Sequence, residues 1–142
     1  MNFDQLMAIY NHYEVIASKI TVQFLPNGDQ FYCGVSITAD GNFTGTPTTA
    51  MEQRGTRFKY QSTLATRPTV VKLGWSSKRT FGKKAVGANP NLKGGITSNP
   101  TEQSVFQVWQ AGVAGADPVP VVALVLIEFI AIFSELKVQN AS

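Results

Sequence analysis

The sequence is short of nearly everything that metal or nucleophilic catalysis requires. Its 142 residues include one cysteine, Cys33, and one histidine, His12. Zinc-type sites draw on several Cys and His ligands, so most versions are excluded. A serine triad would have to use His12, and no nucleophile elbow accompanies it. A phosphate loop ending at Gly82-Lys83 fails because its earlier glycine position is Ser77. The nine acidic residues allow carboxylate pairs, but no spacing favours one. The expectation is a non-enzyme without a cofactor or a metal. Cys33 cannot form an internal disulfide, which fits a reducing compartment or simply no dependence on oxidation. No secretory signal is visible, because residues 1–10 are polar and amphipathic. The sequons Asn42-Phe43-Thr44 and Asn140-Ala141-Ser142 then read as chance.

Acidic residues are also missing from one long interval. Between Arg54 and Lys93 the chain carries Arg54, Arg57, Lys59, Arg67, Lys72, Lys78, Arg79, Lys83, Lys84 and Lys93, and no Asp or Glu. The net charge is only +3, so the asymmetry is one of placement. A polyanion partner explains it, as does a solvated loop surface balanced by acids from elsewhere in the fold. These residues are the candidate nucleic-acid contacts. Trp75, Trp109, Tyr60 and Phe81 are candidates for base stacking. Core packing is the commoner role for tryptophan.

What the sequence does have is a long apolar run at residues 119–133, VPVVALVLIEFIAIF. It is apolar on both sides of a strand pleat, with Glu128 its only charge. A strand of that kind has to be covered on both faces, by this chain or by a neighbour. A buried helix would fit the length, but Val and Ile favour strands. A membrane helix needs about 20 apolar residues. This run is shorter and follows Pro118, so no membrane insertion is expected.

The rest of the chain reads as strands and loops. Phe3, Leu6, Met7 and Tyr10 fall at helical spacing, predicting a short helix over 3–11 capped by Asn2, with Gln5 completing a capping box. His12 at its end reads as a cap or a packed side chain. Residues 14–24 alternate, with Ile16, Ser18, Ile20, Val22 and Phe24 on one face. Pro26-Asn27-Gly28-Asp29 is a turn. The return strand, 30–39, points Phe31, Cys33, Val35 and Ile37 inward, so Cys33 reads as a small core residue. Asp40-Gly41-Asn42 ends it. Residues 43–55 form a long connection with a short helix near 48–54. Residues 57–62 and 69–75 are two strands or one bent strand around Pro68. Residues 77–99 read as loop. Residues 104–111 form another strand, with Phe106 and Val108 opposite Val105, Gln107 and Trp109. The tail, 134–142, reads as peripheral. One all-β sandwich domain over 1–142 follows from this pattern, with a short N-terminal helix and long loops.

Several segments carry a family resemblance. FDQLMAIYNHYEVIASKITVQF (3–24) resembles the short helix and following strand of capsid proteins from circovirus-like viruses, the Rep-encoding viruses with circular single-stranded DNA. SNPTEQSVFQVW (98–109) resembles their late strand region. VALVLIEFIAIFSELK (122–137) resembles their last strand and its exit. Trp75-Ser76-Ser77-Lys78-Arg79, followed by Phe81-Gly82, is similar to their middle. The matches span nearly the whole chain in the right order, and the specificity comes from their combination.

The resemblance implies an eight-stranded viral jelly-roll β-sandwich of two antiparallel sheets. It implies a non-enzymatic capsid protein that self-assembles into a small icosahedral shell around circular single-stranded DNA. It places the protein in the virion and, during assembly, in the host nucleus. It implies a host-cell attachment factor without identifying one. The family's arginine-rich arm and first strand are not seen ahead of the helix. That first strand would border the last, so residues 121–133 would form an open sheet edge, covered by a neighbouring subunit or left prone to association. The alternative is a jelly-roll binding module for nucleic acid or carbohydrate that does not assemble. It would stay small and show clustered aromatics.

Overall fold

A computed structural model describes residues 3–39, 46–82, 86–113 and 120–138, with Pro47 described by its backbone alone. Helix α1 (Phe3–Ile9) leads directly into strand β1 (Tyr10–Phe24). Then follow β2 (Phe31–Thr38), α2 (Pro47–Glu52), β3 (Arg57–Gln61), β4 (Thr69–Ser76), α3 (Ser77–Phe81), a 3-10 turn (Pro90–Leu92), β5 (Val105–Gly112) and β6 (Ala123–Leu136). The strands form two three-stranded sheets, in the orders β4-β1-β6 and β3-β2-β5. All six expected strands are present. Residues 57–62 and 69–75 prove to be separate strands of different sheets. The proposed cap Asn2 and the strand end at 40–42 lie outside the described residues.

The chain divides into two compact units. One comprises Met1–Ser18, Trp75–Gln103 and Phe129–Ser142, and the other Lys19–Gly74 and Ser104–Glu128. Strands β1, β4 and β6 each contribute a stretch to both.

The second unit holds the hydrophobic core. Ile20, Val22 and Phe24 from β1 pack with Phe31, Cys33 and Val35 from β2 and Val71 from β4. Leu73, Phe106, Val121 and Ala123 border them. The period-2 alternation of β1 produces this directly, because Lys19 and Gln23 turn to solvent while the apolar set turns in. Each fully buried Val, Ile or Phe is worth about 1.5–3 kcal/mol of transfer free energy. The 26–29 turn does not close a hairpin. It carries the chain from one sheet to the other, because Phe24 and Phe31 on either side of it enter the same core. Gly28 takes φ +89° there, and Asn27 Oδ1 accepts from Asp29 N at 3.1 Å.

The first unit is tied by polar contacts at the start and end of the chain. The predicted helix stops at Ile9, two residues short, because β1 already begins at Tyr10. Met7 is fully buried, whereas Phe3 is half-exposed and sets its ring edge-on against Tyr13 at 5.1 Å. The described parts of 77–99, residues 77–82 and 86–99, hold more regular structure than their composition implies. Helix α3 ends on Gly82, at φ +91°, whose N–H donates to the Lys78 carbonyl. Tyr13 and Gly94 exchange two backbone hydrogen bonds of 2.9 Å. Glu14 Oε2 accepts from Gly87 N at 2.8 Å. The tail is not peripheral as far as residue 137. Lys137 Nζ donates to the Met7 carbonyl at 2.7 Å, and Lys137 N to the Ile9 carbonyl at 2.8 Å. These bonds satisfy carbonyls that the end of α1 leaves free.

Candidate nucleic-acid interface and assembly surface

The ten basic candidates occupy different settings. In the second unit, Arg54 follows α2, Arg57 and Lys59 lie on β3, Arg67 lies in the β3–β4 connection and Lys72 on β4. All five are exposed. In the first unit, Lys78 and Arg79 are exposed on α3. Lys93 is half-buried, with its Nζ 3.8 Å from Glu135 Oε1. Among the described residues it is the one candidate within ion-pair distance of a carboxylate. Lys83 and Lys84 lie outside the described residues. His12, expected as a helix cap or a packed side chain, stands in β1 with its Nε2 3.3 Å from Glu135 Oε2.

The outer face of the β3-β2-β5 sheet is aromatic. Its register sets Gly34 between Phe58 and Trp109, and Tyr32 between Tyr60 and Ala111. The missing side chain at Gly34 gives Trp109 room to lie over β2 beside Phe58, with ring centroids 6.3 Å apart. Trp109 Nε1 donates to Ser36 Oγ at 2.9 Å, and Ser36 Oγ also lies 2.9 Å from Thr56 Oγ1. Ser36 is therefore fully buried although it faces away from the core. Trp109 thus packs on the outer face and not in the core expected for tryptophan. Trp75 instead packs edge-on against Phe81 in the first unit. Phe58 and Tyr60 remain 45% and 48% exposed, so part of each ring is open to solvent. Sequence reading named Tyr60 as a stacking candidate and missed Phe58. The cross-strand glycine that joins Phe58 to Trp109 is visible only once the register is known.

Arg57 and Lys59 sit on β3 at the register positions of Val35 and Cys33, so they take the core-side parity of an end strand. Both are nonetheless exposed. Lys59 also bears on the core. Its carbonyl lies 3.6 Å from Cys33 Sγ, and burial pushes the Cys33 thiol up to about 11 despite the opposing Lys59 charge. A buried thiol of this kind is inert.

Strand β6 was expected to be covered on both faces, by this chain or by a neighbour, and in the single chain both faces are open along most of its length. On the face that points to the core, Val121 and Ala123 pack inward, but Val125 and Ile127 are 50% and 41% exposed. On the other face Leu124 and Leu126 are 57% and 59% exposed. Farther along, in the first unit, Phe129 and Ile130 are exposed to a similar degree. Among the described residues β6 stands at the end of its sheet.

Among the described residues, no group of three or more His, Cys, Asp or Glu side chains is placed to hold a metal ion. No helix among them is long and apolar enough to cross a membrane.

No protein-family model matches the chain. No curated protein matches it either. Among solved structures, a chain from desmodium yellow mottle tymovirus is similar, with a TM-score of 0.55 and 15% identity. The match covers 97% of this chain and 73% of the viral one. The fold is therefore that of the viral jelly-roll β-sandwich. A complete jelly roll has eight strands. Six are formed among the described residues, three in each sheet.

Proposed function

We propose that this protein is a structural, non-enzymatic capsid protein of a circovirus-like virus. Copies of it build a small icosahedral shell around circular single-stranded DNA. The observation that carries the reading is the viral jelly-roll fold along nearly the whole chain. The circovirus-like part rests on the resemblance of residues 3–24, 75–82, 98–109 and 122–137. The fold itself is indifferent to genome type, and its solved neighbour comes from a tymovirus. The exposed set Arg54, Arg57, Lys59, Arg67, Lys72, Lys78 and Arg79 supplies the phosphate contacts. Lys93 does so less, because it is engaged by Glu135. The protein acts in the virion, and assembly occurs in the host nucleus. Mixing the full chain with circular single-stranded DNA, then adding nuclease, tests this. Protected circles inside particles are expected. Complete digestion with no particles overturns the reading.

A second reading has one observation in its favour. The half-exposed Phe58 and Tyr60 beside Trp109 form the clustered aromatic face that a non-assembling binding module would use. Binding of oligonucleotide or oligosaccharide by a stable monomer, abolished by Phe58→Ala, would favour it.

A further inference from the structure

Strand β3 alternates cations and rings. It reads Arg57-Phe58-Lys59-Tyr60-Gln61, and its first four residues are exposed. Phe58 and Tyr60 stand on the outer face of the sheet, opposite Gly34 and Tyr32. Their neighbours there are aromatic too. The Tyr60 ring lies 5.5 Å from that of Tyr32, and Trp109 backs Phe58. The Tyr60 hydroxyl donates to Gln30 Oε1 at 2.8 Å, which anchors the ring. Arg57 and Lys59 take the opposite parity, so each exposed ring has an exposed cation beside it along the strand.

The charge around these rings is of one sign. β2, β3 and β5 contain no Asp or Glu, and Arg54 adds a third cation just ahead of β3. The acid closest to β3 along the chain is Glu52 on α2, and Asp29 precedes β2. A neutral sugar has no use for the cations. A second copy of the strand would set them against their own kind, which is destabilising. A polyanion whose units carry π-faces matches both features. The spacing favours a single strand. Phe58 and Tyr60 lie two residues apart, so they advance about 6.7 Å along β3. That is twice the rise of about 3.4 Å per base along each strand of a duplex. Bases resting on both rings are unstacked from each other, which a single strand permits and a duplex resists.

We propose that the outer face of β3 is a binding site for single-stranded nucleic acid. Phe58 and Tyr60 stack two bases, and Arg57 and Lys59 hold the adjoining phosphates. This rests on the genome-enclosing reading above and names the residues that contact the strand.

The test uses the full chain and two probes of equal phosphate count, a short oligothymidylate and its abasic analogue, read by fluorescence anisotropy. We expect Phe58→Ala and Tyr60→Ala each to weaken oligothymidylate binding about tenfold and to leave abasic binding unchanged. Tyr60→Phe keeps the ring and should retain binding. An equal loss on both probes overturns the stacking role. Wild-type affinity in both alanine variants overturns the site, and if those variants still protect circular DNA inside particles, enclosure stands without it. Ring-dependent binding with no protected particles upholds the site and removes enclosure. A wild-type chain that binds neither probe overturns the site, as does displacement of the oligothymidylate by a neutral oligosaccharide. Should an alanine variant fail to fold by circular dichroism, photocrosslinking of wild type to a strand carrying 5-iodouracil decides alone. Adducts mapped to Phe58 or Tyr60 uphold the proposal, and adducts mapped only elsewhere overturn it.

Discussion

Trp109 lies so close over Gly34 that a methyl group added at residue 34 would clash with the indole ring. The glycine thus holds the outer face of the β3-β2-β5 sheet together by leaving space, and the Ser36 hydroxyl fixes the indole above it. Gly34→Ala should displace the ring and cost about 1–3 kcal/mol, as overpacking does. Urea unfolding with tryptophan fluorescence should show a lower midpoint and a shifted native emission. Wild-type stability in that variant would contradict the packing described.

Cys33 gives a pH signature. Its folded thiol titrates at about 11, above the ordinary 9.0, because burial disfavours the thiolate. The folded chain keeps a proton that the unfolded chain loses near pH 9. The thiol's stabilising contribution is therefore complete below pH 9 and is lost as pH rises to about 11. The loss amounts to roughly 2–3 kcal/mol. The measurement is a difference between wild type and variant, which isolates the Cys33 contribution. Cys33→Ala should be less stable at pH 8, and the gap to wild type should narrow by pH 11. A pH-independent gap would contradict the buried thiol.

Gln61 gives a prediction of opposite sign. It is 1% exposed on the core side of β3, opposite Phe31, and neither amide atom has a hydrogen-bond partner among the described residues. An unpaired buried amide costs about 1–3 kcal/mol. Gln61→Leu should raise the unfolding free energy by a comparable amount, as read from the denaturation midpoint.

How much of this was legible in the sequence depends on how locally each feature is determined. The alternation in 14–24 and 30–39 placed Ile20, Val22, Phe24, Phe31, Cys33 and Val35 in the core, because a strand's side-chain period is set by its own backbone. The basic interval was plain, since charge needs no fold to be counted. Trp109 was misjudged because its site is built by Gly34 and Ser36, 73 residues from Ser36 along the chain. The 26–29 turn resembled a hairpin because its local chemistry is the same whether the next strand joins the same sheet or the facing one. The tail was read as peripheral because the bonds from Lys137 to α1 span nearly the whole chain.

The basic set predicts graded salt dependence. Single-stranded DNA affinity should fall with log salt at about −0.7 per phosphate neutralised. Arg57→Ala and Lys59→Ala should each flatten that slope by about 0.7, if each makes one phosphate contact. Lys93→Ala should change it little, because Glu135 already engages that ammonium. Fluorescence anisotropy between low and physiological salt measures all three, and a slope unmoved by Arg57→Ala would remove β3 from the interface.

The most direct test of the capsid account is particle size, by sedimentation velocity and negative-stain microscopy of the purified full chain, with and without single-stranded DNA. The account predicts uniform closed shells of small-virus size, with nucleic acid inside when it is supplied. A well-folded monomer or dimer that ignores DNA at every concentration would contradict it.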